Sequence, residues 1–184
     1  MTYRKTALGV LLAANIGGFG VSPGKAQDTA QPGKTEQQVG NSATEKAGPV
    51  TVTVTTDKKL YAAGTTIKLT LTVRNTSPDT VHLTFSSGQR FDFVIRHAVK
   101  GDSPILWQWS RGKMFTQMLS SDTLMPGQDR TYTTLFDPKE AAQSDAAKAG
   151  KPAMFAPGPY TVSGTLTISS REARPSATAV FRLR

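Results

Sequence analysis

His82 and His97 are the only histidines among 184 residues, and cysteine is absent. A structural zinc site needs four N or S donors, and a nucleophile needs a base beside it. Neither histidine stands in an H-x-H or H-E-x-x-H spacing, so no metal-ligand set is assigned and no cofactor is expected. One nucleophile motif occurs, Gly20-Val21-Ser22-Pro23-Gly24, which matches the G-x-S-x-G elbow of serine hydrolases. That elbow works only between a strand and a helix, whereas here it follows a short apolar run of export type. Asp92 stands between Phe91 and Phe93. Alternation turns it away from the core, toward pairing with Arg90 or Arg96. No catalytic residue is assigned, and the chain reads as a binder.

The N-terminus has the marks of an address. Arg4 and Lys5 precede Ala7-Leu8-Gly9-Val10-Leu11-Leu12-Ala13-Ala14, and an apolar, glycine-rich run continues to Val21. This pattern predicts a signal peptide over 1–26, cut after Ala26. Asn15 and four glycines make a poor membrane span, which needs about 20 strongly apolar residues. The expected location is secreted or periplasmic, with no stable span after cleavage. Residues 27–49 hold hardly an apolar side chain besides Val39, which predicts a disordered linker. The formal net charge is +9. The cations are scattered without interleaved aromatics, so they speak for solubility and against nucleic-acid binding.

From Val50 the pattern changes to a period of two. Val50, Val52 and Val54 alternate with threonines; Ile67, Leu69, Leu71 and Val73 form a second set, and Val81, Leu83 and Phe85 a third. Phe91, Phe93 and Ile95 follow, then Ile105, Trp107 and Trp109, then Tyr132, Thr134 and Phe136. Tyr160, Val162, Leu166 and Ile168, and finally Ala179, Phe181 and Leu183, complete the series. Residues 114–119 read as a weak strand or bulged edge, and 138–150 as a short surface helix. Turn residues such as Asn75-Thr76-Ser77-Pro78-Asp79 and Pro126-Gly127 separate the runs. Many half-buried strands at spacings near ten residues predict an all-β fold, an immunoglobulin-like antiparallel β-sandwich of about 8–9 short strands over 50–184.

The central block also carries a resemblance. Ser86-Ser87-Gly88-Gln89-Arg90-Phe91-Asp92-Phe93-Val94-Ile95 resembles the S-G-Q-x-[FY]-D-F core of the BsuPI domain family, named for an intracellular proteinase inhibitor. Trp107-Gln108-Trp109-Ser110 and Gly112-Lys113-Met114-Phe115-Thr116-Gln117 are similar to that family's next two blocks. Leu124-Met125-Pro126-Gly127-Gln128 and Pro157-Gly158-Pro159-Tyr160-Thr161-Val162 resemble its later turns. The resemblance spans 52–167 and implies an immunoglobulin-like sandwich, a protein partner and inhibition of a serine proteinase. Segment 137–157 is longer and richer in alanine than the family's compact turn.

Two surfaces are candidates for the partner. Trp107 and Trp109 share a face and are expected to fill the core. A hairpin joining the Trp strand to the Met114 strand would put Ser110-Arg111-Gly112-Lys113 at its tip. Gln89, Arg90, Arg111, Lys113, Met114 and Phe115 then form one candidate contact set, since Arg and exposed aromatics concentrate energy at interfaces. The second lies in the long loop, where Lys151-Pro152-Ala153-Met154-Phe155-Ala156-Pro157 is suited to an extended peptide in a cleft. There Met154 and Phe155 would contact the partner, or else cap the core. A monomer is expected, and the competing function is a structural or adhesion-type immunoglobulin-like module of the cell envelope.

Overall fold

A computed structural model describes residues 40–99, 103–142, 155–169 and 174–184. The strands are β1 Ser42–Ala47, β2 Val50–Thr56, β3 Leu60–Tyr61, β4 Ile67–Asn75, β5 Val81–Phe85 and β6 Phe91–His97. They continue as β7 Trp107–Gln108, β8 Ser120–Leu124, β9 Asp129–Phe136, β10 Gly158–Leu166 and β11 Ser176–Leu183; one short helix, α1, spans Pro138–Ala142. One sheet runs β1-β2-β4-β9, a second β3-β11-β10-β6-β7, and β5 pairs with β8 as a separate ribbon. The expected all-β sandwich is the observed fold. Among the described residues no helix is long and apolar enough to cross a membrane.

Alternation in sequence becomes alternation in burial. Along β2 Val50, Val52 and Val54 are buried, along β4 Ile67, Leu69, Leu71 and Val73, and along β10 Tyr160, Val162 and Leu166. The opposite faces carry threonine. Register aligns Thr44, Thr53, Thr72 and Thr131 in one row across the first sheet. Such β-branched cross-strand neighbours suit a half-solvated sheet. Between the layers Gly164 keeps β10 close to its neighbours: a Cβ there would lie 2.6 Å from Val54 Cγ2 and 3.0 Å from Phe93 Cε1.

Several local expectations need correction. Eleven strands are present among the described residues, because β1, β3 and β8 carry too few large apolar side chains to show as alternation. The linker reading of 27–49 fails from Ser42 onward, where β1 pairs antiparallel with β2 through a turn at Gly48 and Pro49. Ala43 and Ala47 pack against the core, and Asn41 Nδ2 donates to Val180 O in the facing sheet. Alanine is too small to announce a strand by itself; the partner β2 makes it one. Residues 113–119 are not a strand, and β7 pairs with β6 instead of with them. The expected helix over 138–150 is present across Pro138–Ala142, and its remainder lies outside the described residues.

A string of aromatic rings crosses the core. Trp107 tilts on Phe136 at 4.9 Å, Phe136 meets Phe155 at 4.9 Å, and Phe155 meets Tyr160 at 5.7 Å. Tyr160 stacks on Phe181 at 5.6 Å, and Phe181 meets Tyr61 edge-on at 6.0 Å. Tyr61 OH donates to Asp57 Oδ1 at 2.7 Å and accepts from Lys58 N at 2.7 Å. Burial, and then the Asp57 hydrogen bond, push this hydroxyl well above its ordinary value; burial also raises Tyr160. An acid whose folded-state pKa lies above its unfolded value supports the fold below the unfolded value. That support is lost as pH rises toward the folded value. The urea midpoint is therefore expected to fall between about pH 9 and about pH 11, and Tyr61→Phe to flatten the fall. A wild-type midpoint constant across that window would contradict this.

Candidate partner-binding site

Asp92 organises the end of the sandwich where β6 and β7 meet. Its Oδ2 accepts from Gln108 Nε2 at 2.6 Å and from Ser110 Oγ at 2.7 Å. Its Oδ1 accepts from Ser110 N at 3.0 Å and from Phe93 N at 2.9 Å. The expected partner Arg90 lies instead near Asp122, with Nε 4.0 Å from Oδ2. The Phe-Asp-Phe and Trp-Gln-Trp-Ser blocks thus form a single hydrogen-bonded unit, with a carboxylate on one block holding the turn of the other. Bonds to a charged acceptor are short and stronger than neutral ones.

That turn presents Trp109. Its N donates to Phe93 O at 2.9 Å, and Arg111 N and Lys113 N close successive turns onto Gln108 O and Ser110 O at 3.2 and 3.1 Å. Gly112 holds φ at +76°, a left-handed position that glycine tolerates and β-branched residues do not. The expected tip at 110–113 is present, although a strand does not follow it. Phe91 stacks on the Trp109 ring at 4.2 Å, Lys113 Nζ sits 4.2 Å from its centroid, and Phe115 lies 5.8 Å from it. Both tryptophans are half-buried and packed against the core rather than enclosed by it.

From Lys113 the chain runs without regular structure to Leu119, held at intervals. Lys113 and Phe115 are held on Trp109, and Thr116 O accepts from Gly88 N at 2.8 Å. A Cβ on Gly88 would approach Thr116 Oγ1 to 2.7 Å, so the glycine of the Ser-Gly-Gln block allows the close approach. Between these anchors Met114 is 98% exposed, and Met118 and Leu119 follow at 62% and 75%. A cleft of about 300 Å³ opens beside the segment, lined among others by Trp107, Trp109, Arg111, Lys113, Asp137 and Glu140.

The candidate residues therefore divide. Arg111, Lys113, Met114 and Phe115 come together on one surface. Gln89 and Arg90 are half-buried beside it, engaged within the domain. Gln89 Nε2 donates to Phe91 O at 3.1 Å; Arg90 Nη1 donates to Ser87 O at 2.8 Å, and its guanidinium covers the Phe85 ring at 4.3 Å. Phe155 caps the core between Phe136 and Tyr160, while Met154 lies outside the described residues. His82 and His97 stay apart from this surface: His82 Nδ1 faces Thr123 Oγ1 at 3.4 Å and His97 lies against Tyr160. Among the described residues no cluster of three metal-ligating side chains forms. Sequence reasoning missed Gln108, Ser110 and Gly88 as supports, because their partners Asp92 and Thr116 lie far from them in the chain.

Tyr132 is the misfit behind the site. Its ring stacks on Phe91 at 5.2 Å, yet its buried hydroxyl has no hydrogen-bond partner among the described residues. Burial, with the Asp122 charge added, raises its pKa. Removing an unsatisfied buried hydroxyl while keeping the ring is expected to stabilise the protein. Tyr132→Phe should raise unfolding stability by about 1 kcal/mol, read from urea titration; a loss of that size would reveal a partner for the hydroxyl.

A family model described as BsuPI, intracellular proteinase inhibitor, matches residues 54–171. No curated protein matches the chain. Solved structures similar to parts of it include Spo0M, a sporulation control protein from Bacillus subtilis, at 13% identity and TM-score 0.42, covering 75% of this chain and 50% of that one. A β-glucosidase from Listeria innocua matches at 14% identity and TM-score 0.39, over 68% of this chain and 14% of its own. A Pseudomonas fluorescens alkylpurine DNA glycosylase matches at 16% identity and TM-score 0.36, over 68% and 27%. The chain thus spans half or less of the length of each of these structures.

Proposed function

The chain belongs to the BsuPI family of intracellular proteinase inhibitors, and from that premise we propose that it is an exported domain that occludes a serine proteinase through segment 110–119. The observation that carries this is Met114, almost fully exposed between two residues held on Trp109. An extended stretch with a protruding apolar side chain can enter a cleft as a substrate would. Anchors on both sides hold it in place, so little ordering entropy is lost on binding. Cleavage is resisted because the scaffold keeps the segment from moving away from the nucleophile. The chain contributes no chemistry of its own.

Export is the second part of the proposal. It is supported by the Arg4-Lys5 start, the apolar run and the small residues up to Ala26. In this reading a leader over 1–26 is removed, and the globular part begins near Ser42 rather than Val50. The test combines the purified protein with a subtilisin-type serine proteinase. One-to-one loss of peptidase activity with the inhibitor chain intact is expected. Undiminished peptidase activity with segment 110–119 cut would exclude the reading and leave the envelope adhesion module as the alternative. Fractionation of cells that make the protein tests export separately.

A further inference from the structure

Every methionine among the described residues is exposed. Cysteine is absent, and of five methionines Met114, Met118 and Met125 are exposed by 98%, 62% and 66%. None of these three is in the core, where a flexible thioether ordinarily fills gaps. Among the described residues Met114 has the most open sulfur-bearing side chain, and it projects from the anchored part of segment 110–119. Its neighbours Lys113 and Phe115 are held on Trp109, while the Met114 side chain itself stands almost wholly in solvent.

We propose that Met114 is an oxidation site whose conversion to the sulfoxide switches off partner binding; this rests on the inhibitory reading of the segment. In the reaction the thioether sulfur gives an electron pair to one oxygen of hydrogen peroxide. The O–O bond breaks, the proton on the transferred oxygen passes to the departing hydroxide, which leaves as water, and sulfide becomes sulfoxide. The product replaces an apolar tip by a polar, chiral one, and such a group is poorly received by an apolar pocket. Inhibition is expected to weaken roughly ten- to a hundredfold, the factor that corresponds to losing the burial of one large apolar side chain. A methionine sulfoxide reductase with a dithiol reverses the change, and the chain has no disulfide for that dithiol to disturb.

The experiment treats the full protein with hydrogen peroxide to about one oxygen per chain. Peptide mass spectrometry locates the oxygen, and the inhibition constant is measured before treatment, after it, and after the reductase. Met114 is expected to be oxidised first, with inhibition falling and then returning. In Met114→Leu the ratio of treated to untreated constants stays at one, whatever its untreated value. In the Met118→Leu/Met125→Leu/Met154→Leu triple variant the ratio rises as in wild type. An unchanged ratio in the triple variant, or oxidation that spares Met114, overturns the proposal. An untreated protein that does not inhibit sinks the parent reading instead, and the switch with it, while the order of oxidation still reports on the exposure of Met114.

Discussion

Replacing Asp92 by alanine is expected to lower stability by about 2–4 kcal/mol, because hydrogen bonds to a charged acceptor contribute more than neutral ones and four end on this carboxylate. The four do not add, since Gln108 Nε2 also donates to Ser110 Oγ at 3.0 Å and water reaches part of the group. Ser110 and Gln108 would lose the acceptor that fixes the turn, and Trp109 its seat over Phe91. The two tryptophans, the only ones in the chain, both lie at this end of the sandwich. Their fluorescence should therefore shift to the red together with the fall in urea midpoint. Asp92→Asn keeps an oxygen for the two backbone donors and puts an amide where Oδ2 accepts, so a smaller loss is expected. Inhibition should weaken in Asp92→Ala even where the protein remains folded, because the anchors of segment 110–119 depend on Trp109. An unchanged midpoint in Asp92→Ala would show that the carboxylate is merely solvated.

Met114→Asp has the opposite signature. The side chain touches nothing that the fold depends on, so stability should stay within about 0.5 kcal/mol of wild type, as for most surface changes. Inhibition of a subtilisin-type proteinase should fall by about a hundredfold or more, since an apolar tip is lost and a charge would have to be desolvated in its place. Met125→Asp, at an exposed methionine outside the segment, serves as the comparison and should leave the inhibition constant unchanged. Equal loss in both variants would point to general charge repulsion between inhibitor and enzyme. No loss in either would move the contact surface away from Met114.

The fold was largely legible because a sandwich strand states its own orientation. Each apolar residue of Val50–Thr56 and Ile67–Asn75 turned inward as period two requires. The family blocks were legible as ordered motifs, and the match over 54–171 follows the same stretch. What escaped was whatever borrows its structure from a neighbour. β1 is Ser-Ala-Thr-Glu-Lys-Ala, a strand only because β2 pairs with it. The expected strand or bulged edge over 114–119 instead makes its backbone hydrogen bond with Gly88 in a distant turn.

Asp92 shows the division most clearly. Its place between Phe91 and Phe93 set its side chain away from the core, a local consequence of strand geometry. Its partners could not be read from that position. Arg90 and Arg96 are near in sequence and opposite in charge, but the antiparallel pairing of β6 with β7 brings Gln108 and Ser110 closer. Sequence by itself therefore determined which residues face inward, where turns fall and which family pattern they form, because side-chain direction and turn chemistry are local. Only the tertiary structure decided that the two blocks join through Asp92, that both tryptophans stop halfway to burial, and that Met114 is left standing in solvent. Those outcomes depend on contacts between strands far apart in the chain, and no local period encodes them.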